Sequence, residues 1–198
     1  MEGVFKGLSR LHFAGLPKTI FKQGGVFKTR NNYGFSPLFK TLTELQFEAL
    51  TSNADLGFKE LPYPLSRPGR RRGLIVYSPA KDVERRLAEL CSWTNDALKS
   101  RDPVDVAAIF QRKFAAIHPF QDANGRTSRL IMDRILKEKG IAPPILADHN
   151  LDLFLQEKDW VNYVRDGARR TTKVLESEKE KLEKILIMKM GDDSFDFE

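Results

Sequence analysis

An all-α domain carrying a small β element is the fold class that this sequence predicts, on three observations. From Ala80 to about Met190 apolar residues recur at helical spacing with only short interruptions. Within that stretch Val106, Phe110, Phe114 and Ile117 step by four, four and three, so they share one face of a buried helix. Only Gly73–Tyr77 (GLIVY), just ahead of the helical half, is a short β-branched apolar run with strand character.

The elements follow in order. Residues 1–35 are rich in Gly, Asn and Lys and show no strong period, with a turn expected at Asn31-Asn32-Tyr33-Gly34. From Pro37 to about Leu50, Leu38, Leu42, Leu45 and Leu50 predict a helix. Three prolines and two glycines make 51–72 a loop, and GLIVY then forms one arm of a hairpin. A helix over about 80–99 has Val83, Leu87, Leu90, Cys91 and Leu98 on one face. Asp102-Pro103 supplies an N-cap followed by Pro at the first helical position. After a break at 118–124, a further helix starts near Gly125, carries Leu130, Ile131 and Ile135, and is capped by Gly140. Pro143-Pro144 is a stop, 150–158 a short helix, and 159–190 a long helix ending in a frayed tail. The expected organisation is an N-terminal extension over 1–70, a core domain over 71–176, and a charged helix with its tail over 177–198.

Composition narrows the function. The 198 residues are 41% hydrophobic and 30% charged, which excludes a wholly disordered chain, and fourteen Phe provide bulk for a core. The net charge of +6 is spread along the sequence, so no nucleic-acid partner is expected. No apolar run approaches the length of a bilayer span, and no membrane partner is expected. A single cysteine, Cys91, excludes an intramolecular disulfide and a cysteine-based zinc cluster, and it reads as a core residue. The beginning MEGVFKGLSRLHF has no secretory apolar core. A cytoplasmic, reduced protein is expected; export into a host by an uncleaved signal stays open.

The chemistry concentrates in His118-Pro-Phe-Gln-Asp-Ala-Asn-Gly-Arg-Thr-Ser-Arg129. This window feeds a helix N-terminus, where unpaired N–H groups and the positive dipole end attract anions. Asn124-Gly125 lets the backbone approach an anion closely. Arg126 and Arg129, three apart, put two cations on one face of the first turn. They oppose the dipole by a few tenths of a kcal/mol, and a bound polyphosphate would reverse that penalty. Asp122 is a hard oxygen ligand suited to Mg²⁺, and His118 is the side chain suited to taking a proton at neutral pH. Each of these residues alone reads as structural; together in twelve positions they point to phosphoryl chemistry. Phe120 alone reads as a core anchor.

The window closely resembles the signature of the Fic (filamentation induced by cAMP) family, HPFx[D/E]GNGRxxR. Eight of the nine specified positions match, and Ala123 replaces the first Gly. The resemblance extends over roughly residues 73–170. It implies a Fic-type helical bundle with a small β-hairpin flap, acting as an adenylyltransferase that moves AMP from ATP to a Ser, Thr or Tyr hydroxyl of a target protein. On that reading His118 is the general base and Asp122 holds Mg²⁺. Phe120, Ala123, Asn124, Gly125, Arg126 and Arg129 form the nucleotide-binding stretch, with Asn124 touching the α-phosphate, and Arg126 also serves catalysis. The flap Gly73, Leu74, Ile75 and Val76 would align the target by strand addition, a small structural strand being an equal alternative. Thr172 and Glu176 partly match the family's inhibitory [S/T]xxxE[G/N] helix, whose Glu pairs with the second motif Arg. A homodimer or an inhibitory partner would fit the same family.

Ala123 implies a φ/ψ that suits a Cβ, with a methyl narrowing the space by the phosphates. Relatives with the same Asp-Ala-Asn pattern use other donors, among them kinases with Lys at the position of Arg126 and a phosphocholine transferase. A different phosphate-linked group, or a partner-controlled module, is therefore the alternative to AMP transfer. Arg67, Arg70, Arg71 and Arg72 read as a solvated loop, His12 and His149 as structural, and Trp93 and Trp160 as core or groove residues.

Overall fold

Asp102 opens the helix on which the rest of the molecule packs. Its carboxylate accepts from the Val104 N–H at 2.7 Å, and Pro103 occupies a first-turn position where no N–H is needed. In the computed structural model, which describes residues 26–35, 42–61, 71–148 and 150–192, eight elements follow the chain. They are β1 (Tyr33–Phe35), α1 (Glu44–Thr51), β2 (Gly57–Glu60), β3 (Gly73–Val76), α2 (Val83–Ala97), α3 (Pro103–Ile117), α4 (Asn124–Glu138) and α5 (Glu157–Asp192). The fold is all-α with one small antiparallel sheet, as the helical spacing predicts.

α3 is the central element. Val106, Ala107, Ala108, Phe110, Phe114 and Ala116 have no solvent exposure, and the helix packs against α2, α4 and α5. A helix apolar on nearly every side is stable only when enclosed in this way. The enclosing residues include Leu87 and Leu90 of α2, Ile131, Met132 and Leu136 of α4, and Trp160 and Val164 of α5. Trp160 is fully buried and its indole N–H donates to Ala108 O at 3.1 Å, so no donor is stranded. A second, smaller core joins Leu42, Leu50, Ile75, Leu153 and Phe154 to Ala115 and Ala116. It seats the sheet and α1 against the C-terminal end of α3.

The sheet extends the expected hairpin by one strand. Its order is β1-β3-β2, so β3 lies in the centre with Ile75 opposite Gly34 on one side and Phe58 on the other. β2 falls inside the stretch expected to be loop. β1 takes Tyr33 and Gly34 from the expected turn, because pairing with β3 outweighs local turn chemistry. At Gly73 a Cβ would fall 2.4 Å from the Phe58 ring and 2.5 Å from Lys59 O, so close strand packing requires glycine there.

α1 starts at Glu44 and not near Pro37, because Thr43 and Gln46 form a capping box. Residues 36–41 lie outside the described residues. Leu45, expected on the apolar face, is exposed. The expected helix at 150–158 is only a 3₁₀ turn over Leu151–Leu153. Gly140, at φ 71°, follows the end of α4 as predicted. α5 is exposed over 172–187, and the tail over 193–198 lies outside the described residues. Among the described residues no helix is long and apolar enough to cross a membrane.

The enclosure of α3 sets an expected outcome. Phe110→Ala should destabilise the protein by about 3–5 kcal/mol in denaturant titration, whereas Leu182→Ala on exposed α5 should cost under about 0.5 kcal/mol.

Candidate active site

α3 and α4 are joined by six residues, and the turn uses two left-handed residues that are not glycine. His118 lies at φ 53°, ψ 59°, and Ala123 at φ 65°, ψ 11°. His118 closes α3 by donating its backbone N–H to Phe114 O at 3.0 Å. Its Nδ1 lies 3.2 Å from Ala115 O, a contact that assigns the proton to Nδ1 and leaves Nε2 as the acceptor. The imidazole stacks on Tyr77 with centroids 3.7 Å apart. Burial pushes its pKa down to about 4, and the charge of Lys28 acts in the same direction. The Ala115 carbonyl and Asp122 act against it. At neutral pH His118 is therefore an uncharged base.

Phe120 is 1% exposed and packs between Phe27 and Phe114, at 5.8 and 6.2 Å between centroids. It anchors the loop in the core, as its side chain reads from the sequence. The Asn124 side chain is also committed internally. Its Oδ1 accepts from Phe120 N, and its Nδ2 donates to Phe120 O, both at 2.8 Å. This ring uses one of the two Nδ2 hydrogens.

Ala123 contradicts the expectation of a backbone suited to a Cβ. The residue is buried and left-handed, a conformation that costs an L-residue about 1–2 kcal/mol. Thr127 N bonds Ala123 O at 2.8 Å, but no side chain caps α4. The first N–H groups of α4 have no partner within the helix and are available to an anion. At Gly125 a Cβ would lie 3.2 Å from Arg129 Nη1, so glycine lets the Arg129 guanidinium fold over the first turn.

Arg126 pairs with Asp122 and, with Arg129, lines a cleft. Asp122 is exposed, and Arg126 Nη2 lies 3.2 Å from its Oδ2. This solvated pair is weak, and phosphate or metal can displace it at small cost. Arg129 is half-buried, and desolvation pushes its pKa down while Asp152 and Asp133 support its charge. Arg126, Arg129, Leu130, Asp133, Pro144 and Leu146 line a cleft of about 350 Å³. Leu130, expected in the core, is 41% exposed because it forms part of this wall.

Other expectations are not brought to the site. β3, carrying Gly73, Leu74, Ile75 and Val76, is paired along both edges, so a peptide strand could add only to the outer edge of β1 or β2. Thr172 bonds Ala168 O at 3.1 Å, and Glu176 is exposed with no ion pair to Arg129. Arg71 ties Glu44 and Glu60 together, each at 3.4 Å, and lies 4.1 Å over Phe47; it is not a free solvated cation. Cys91 and Trp93 are partly buried against the main core. Arg67, Arg70, His12 and His149 lie outside the described residues.

Several site residues carry no local sequence signal. Asp152 is buried and accepts from Gln111 Nε2 at 2.7 Å, while burial pushes its pKa up. Gln111 also reaches Ser128 Oγ at 3.2 Å, and Ser128 donates to Gly125 O at 2.9 Å. This chain of contacts links α3, the 3₁₀ turn and the first turn of α4. Lys28, Asn32 and Tyr77 likewise carry no local signal, because the loop residues they touch lie 40 or more positions away.

A model of the Fic/DOC family matches residues 16–136, a range that begins within the stretch expected to be an N-terminal extension. The Fic protein adenylyltransferase of Nematostella vectensis is 46% identical over 110 residues, covering 50% of this chain and 23% of that protein. The protein adenylyltransferase fic-1 of Caenorhabditis elegans is 40% identical over 86 residues, covering 39% of this chain and 17% of that protein. A uridine 5'-monophosphate transferase of Xanthomonas campestris is 34% identical over 77 residues, covering 35% and 14%. Each match thus spans under a quarter of the relative's length. Among solved structures, Fic-1 (aa134 - 508) from C. elegans superimposes with a TM-score of 0.56 at 19% identity, covering 89% of this chain and 43% of that one, which supports the fold.

Two outcomes follow from the loop. Replacing Ala123 by Gly should relieve the left-handed strain and stabilise the protein by about 0.5–1 kcal/mol, net of the entropy glycine adds to the unfolded chain. For His118 the folded pKa, about 4, lies below the unfolded value, which is about 6.5. Between those values the unfolded state binds more protons. The stability that His118 contributes is therefore complete above about pH 6.5 and is lost as pH falls towards 4. Unfolding temperatures measured from pH 7 to 4 should fall more steeply in the wild type than in a folded His118→Ala variant.

Proposed function

Because the chain belongs to the Fic/DOC family, we propose that it is a protein adenylyltransferase that moves AMP from ATP, with Mg²⁺, to a Ser, Thr or Tyr hydroxyl of a target protein. One observation carries this reading: a neutral imidazole with Nε2 open stands at an uncapped helix N-terminus flanked by Arg126 and Arg129.

His118 Nε2 accepts the proton of the attacking hydroxyl as the oxygen bonds the α-phosphorus. The bond from that phosphorus to the α–β bridging oxygen breaks, and pyrophosphate leaves. The backbone N–H groups at 124–126 and the Arg126 and Arg129 guanidiniums neutralise the phosphates, a task of positioning and charge rather than covalent chemistry. Asp122 is one exposed carboxylate, and among the described residues no cluster of three metal-ligating side chains exists. That donor set fits Mg²⁺, which commonly takes one or two carboxylates and completes its shell with phosphates and water. When bound, the ion would supply Lewis-acid charge to the phosphates, and Asp122 would hold it.

Arg126 favours pyrophosphate as the leaving group, because its fork can grip two phosphate oxygens where a lysine is a point charge. Ala123 favours a second reading, transfer of another nucleotide or phosphate-linked group, since its buried methyl occupies the loop beside the phosphates.

The test uses ATP labelled at the α- or the γ-phosphate, with a lysate as the source of target. Label retained only from the α-position supports AMP transfer; retention from the γ-position indicates a kinase. No retention from either, with transfer from UTP or a CDP-alcohol, would select the second reading. In each case His118→Ala should lower the rate by about 10²–10⁴-fold, with nucleotide affinity nearly unchanged.

A further inference from the structure

Residues 26–32 have no motif, yet they touch the catalytic loop more closely than any segment outside it. Lys28 is 3% exposed. Its backbone N–H donates to Pro119 O at 2.8 Å, and its ammonium donates to Ile117 O at 3.2 Å and to Asn32 Oδ1 at 2.7 Å. Asn32 Nδ2 in turn donates to Phe120 O at 3.1 Å. Phe27 packs on Phe120. Three of the four carbonyls from Ile117 to Phe120 are thus held by this one short segment, and the remaining residue is His118.

We propose that Lys28 is a positioning residue for His118. With Asn32, it fixes the carbonyls on both sides of the histidine and so holds the imidazole in its left-handed seat with Nε2 presented to substrate. The claim rests on the reading of His118 as the base.

The physical case has two parts. A left-handed non-glycine residue persists only when its surroundings over-determine it. At His118 the bond to Phe114 O and the stack on Tyr77 supply part of that constraint, and the Lys28–Asn32 pair supplies the rest. The second part is charge. A buried ammonium is costly unless its donors are used, and here two acceptors engage it. The groups facing His118 are Lys28 from the N-terminal segment, Tyr77 after β3, the Ala115 carbonyl of α3, and Asp122 of the loop. Lys28 is the cation among them. It opposes protonation of the imidazole, so one side chain serves both orientation and protonation state.

The experiment compares the full chain with Lys28→Met, Lys28→Arg and Asn32→Asp. Three measurements are made on each: thermal unfolding, the NMR titration of the His118 imidazole without nucleotide, and kcat and KM for self-modification with ATP. In folded Lys28→Met the His118 midpoint should rise by about one pH unit. Its kcat at neutral pH should fall about tenfold or more at unchanged KM for ATP, as expected for a displaced base. Lys28→Arg should restore both. Asn32→Asp should shift both in the same direction as Lys28→Met, and it carries the test if Lys28→Met does not fold. A folded Lys28→Met with wild-type midpoint and kcat overturns the proposal, as does Lys28→Arg impaired as severely as Lys28→Met. If the wild type transfers no group from any nucleotide, the reading of His118 as base fails, and the titration alone still decides whether Lys28 positions it.

Discussion

The whole site depends on reversing the chain between two buried helices in six residues. α3 cannot move, because it is enclosed by α2, α4 and α5, and the first turn of α4 is tied to it through Gln111 and Ser128. The connection must therefore turn within 118–123, and it does so by placing His118 and Ala123 in left-handed conformations. Both are strained for residues with a Cβ, and the strain is held in place by neighbours. Phe120 is driven into the core between them, and the Asn124 carboxamide closes the loop onto its backbone. The rigidity of the turn is thus a consequence of core packing, expressed through one phenylalanine.

A similar logic explains the buried polar groups behind the site. Arg112 is 3% exposed and sits on α3, one turn from the end that carries His118. It donates to Ala49 O, Asp152 O and Leu155 O, three carbonyls on two other parts of the fold. A guanidinium can satisfy several orphan carbonyls at once, which an apolar residue of the same size cannot do. α1 and the 151–155 turn are joined to α3 in this way, and the turn in turn delivers Asp152 to Gln111. The position of the carboxylate that supports the charge on Arg129 therefore traces back to a hydrogen-bond requirement remote from the cleft.

Sequence reasoning reads some of this and misses the rest for identifiable reasons. α3 is legible because its apolar residues step at helical spacing and Asp102-Pro103 is a local start signal. The grouping of His118, Asp122, Arg126 and Arg129 is legible because all four lie within twelve residues of one helix junction. β1 and β2 are not legible, since their short, mixed sequences become strands only by pairing with β3. Leu130 reads as core by spacing, but the face it occupies is left open by the cleft. Lys28, Asn32 and Asp152 are invisible to any local pattern, because their meaning comes entirely from partners contributed by distant segments. Asn124 and Phe120 show the opposite case: a motif fixes their identity, and the structure adds that their side chains close and anchor the loop.

The electrostatics of the site unify anion binding and base chemistry. An uncapped helix N-terminus, Arg126, Arg129 and Lys28 create a positive field around the loop, the field a polyphosphate requires. Burial first, and then the charge of Lys28, disfavour a protonated imidazole, so the enclosure of the loop keeps His118 able to accept a proton. Asp122 works against that effect in the free protein, because its negative charge favours the imidazolium. Asp122 is exposed and paired only weakly with Arg126, which leaves it free to exchange one cationic partner for another.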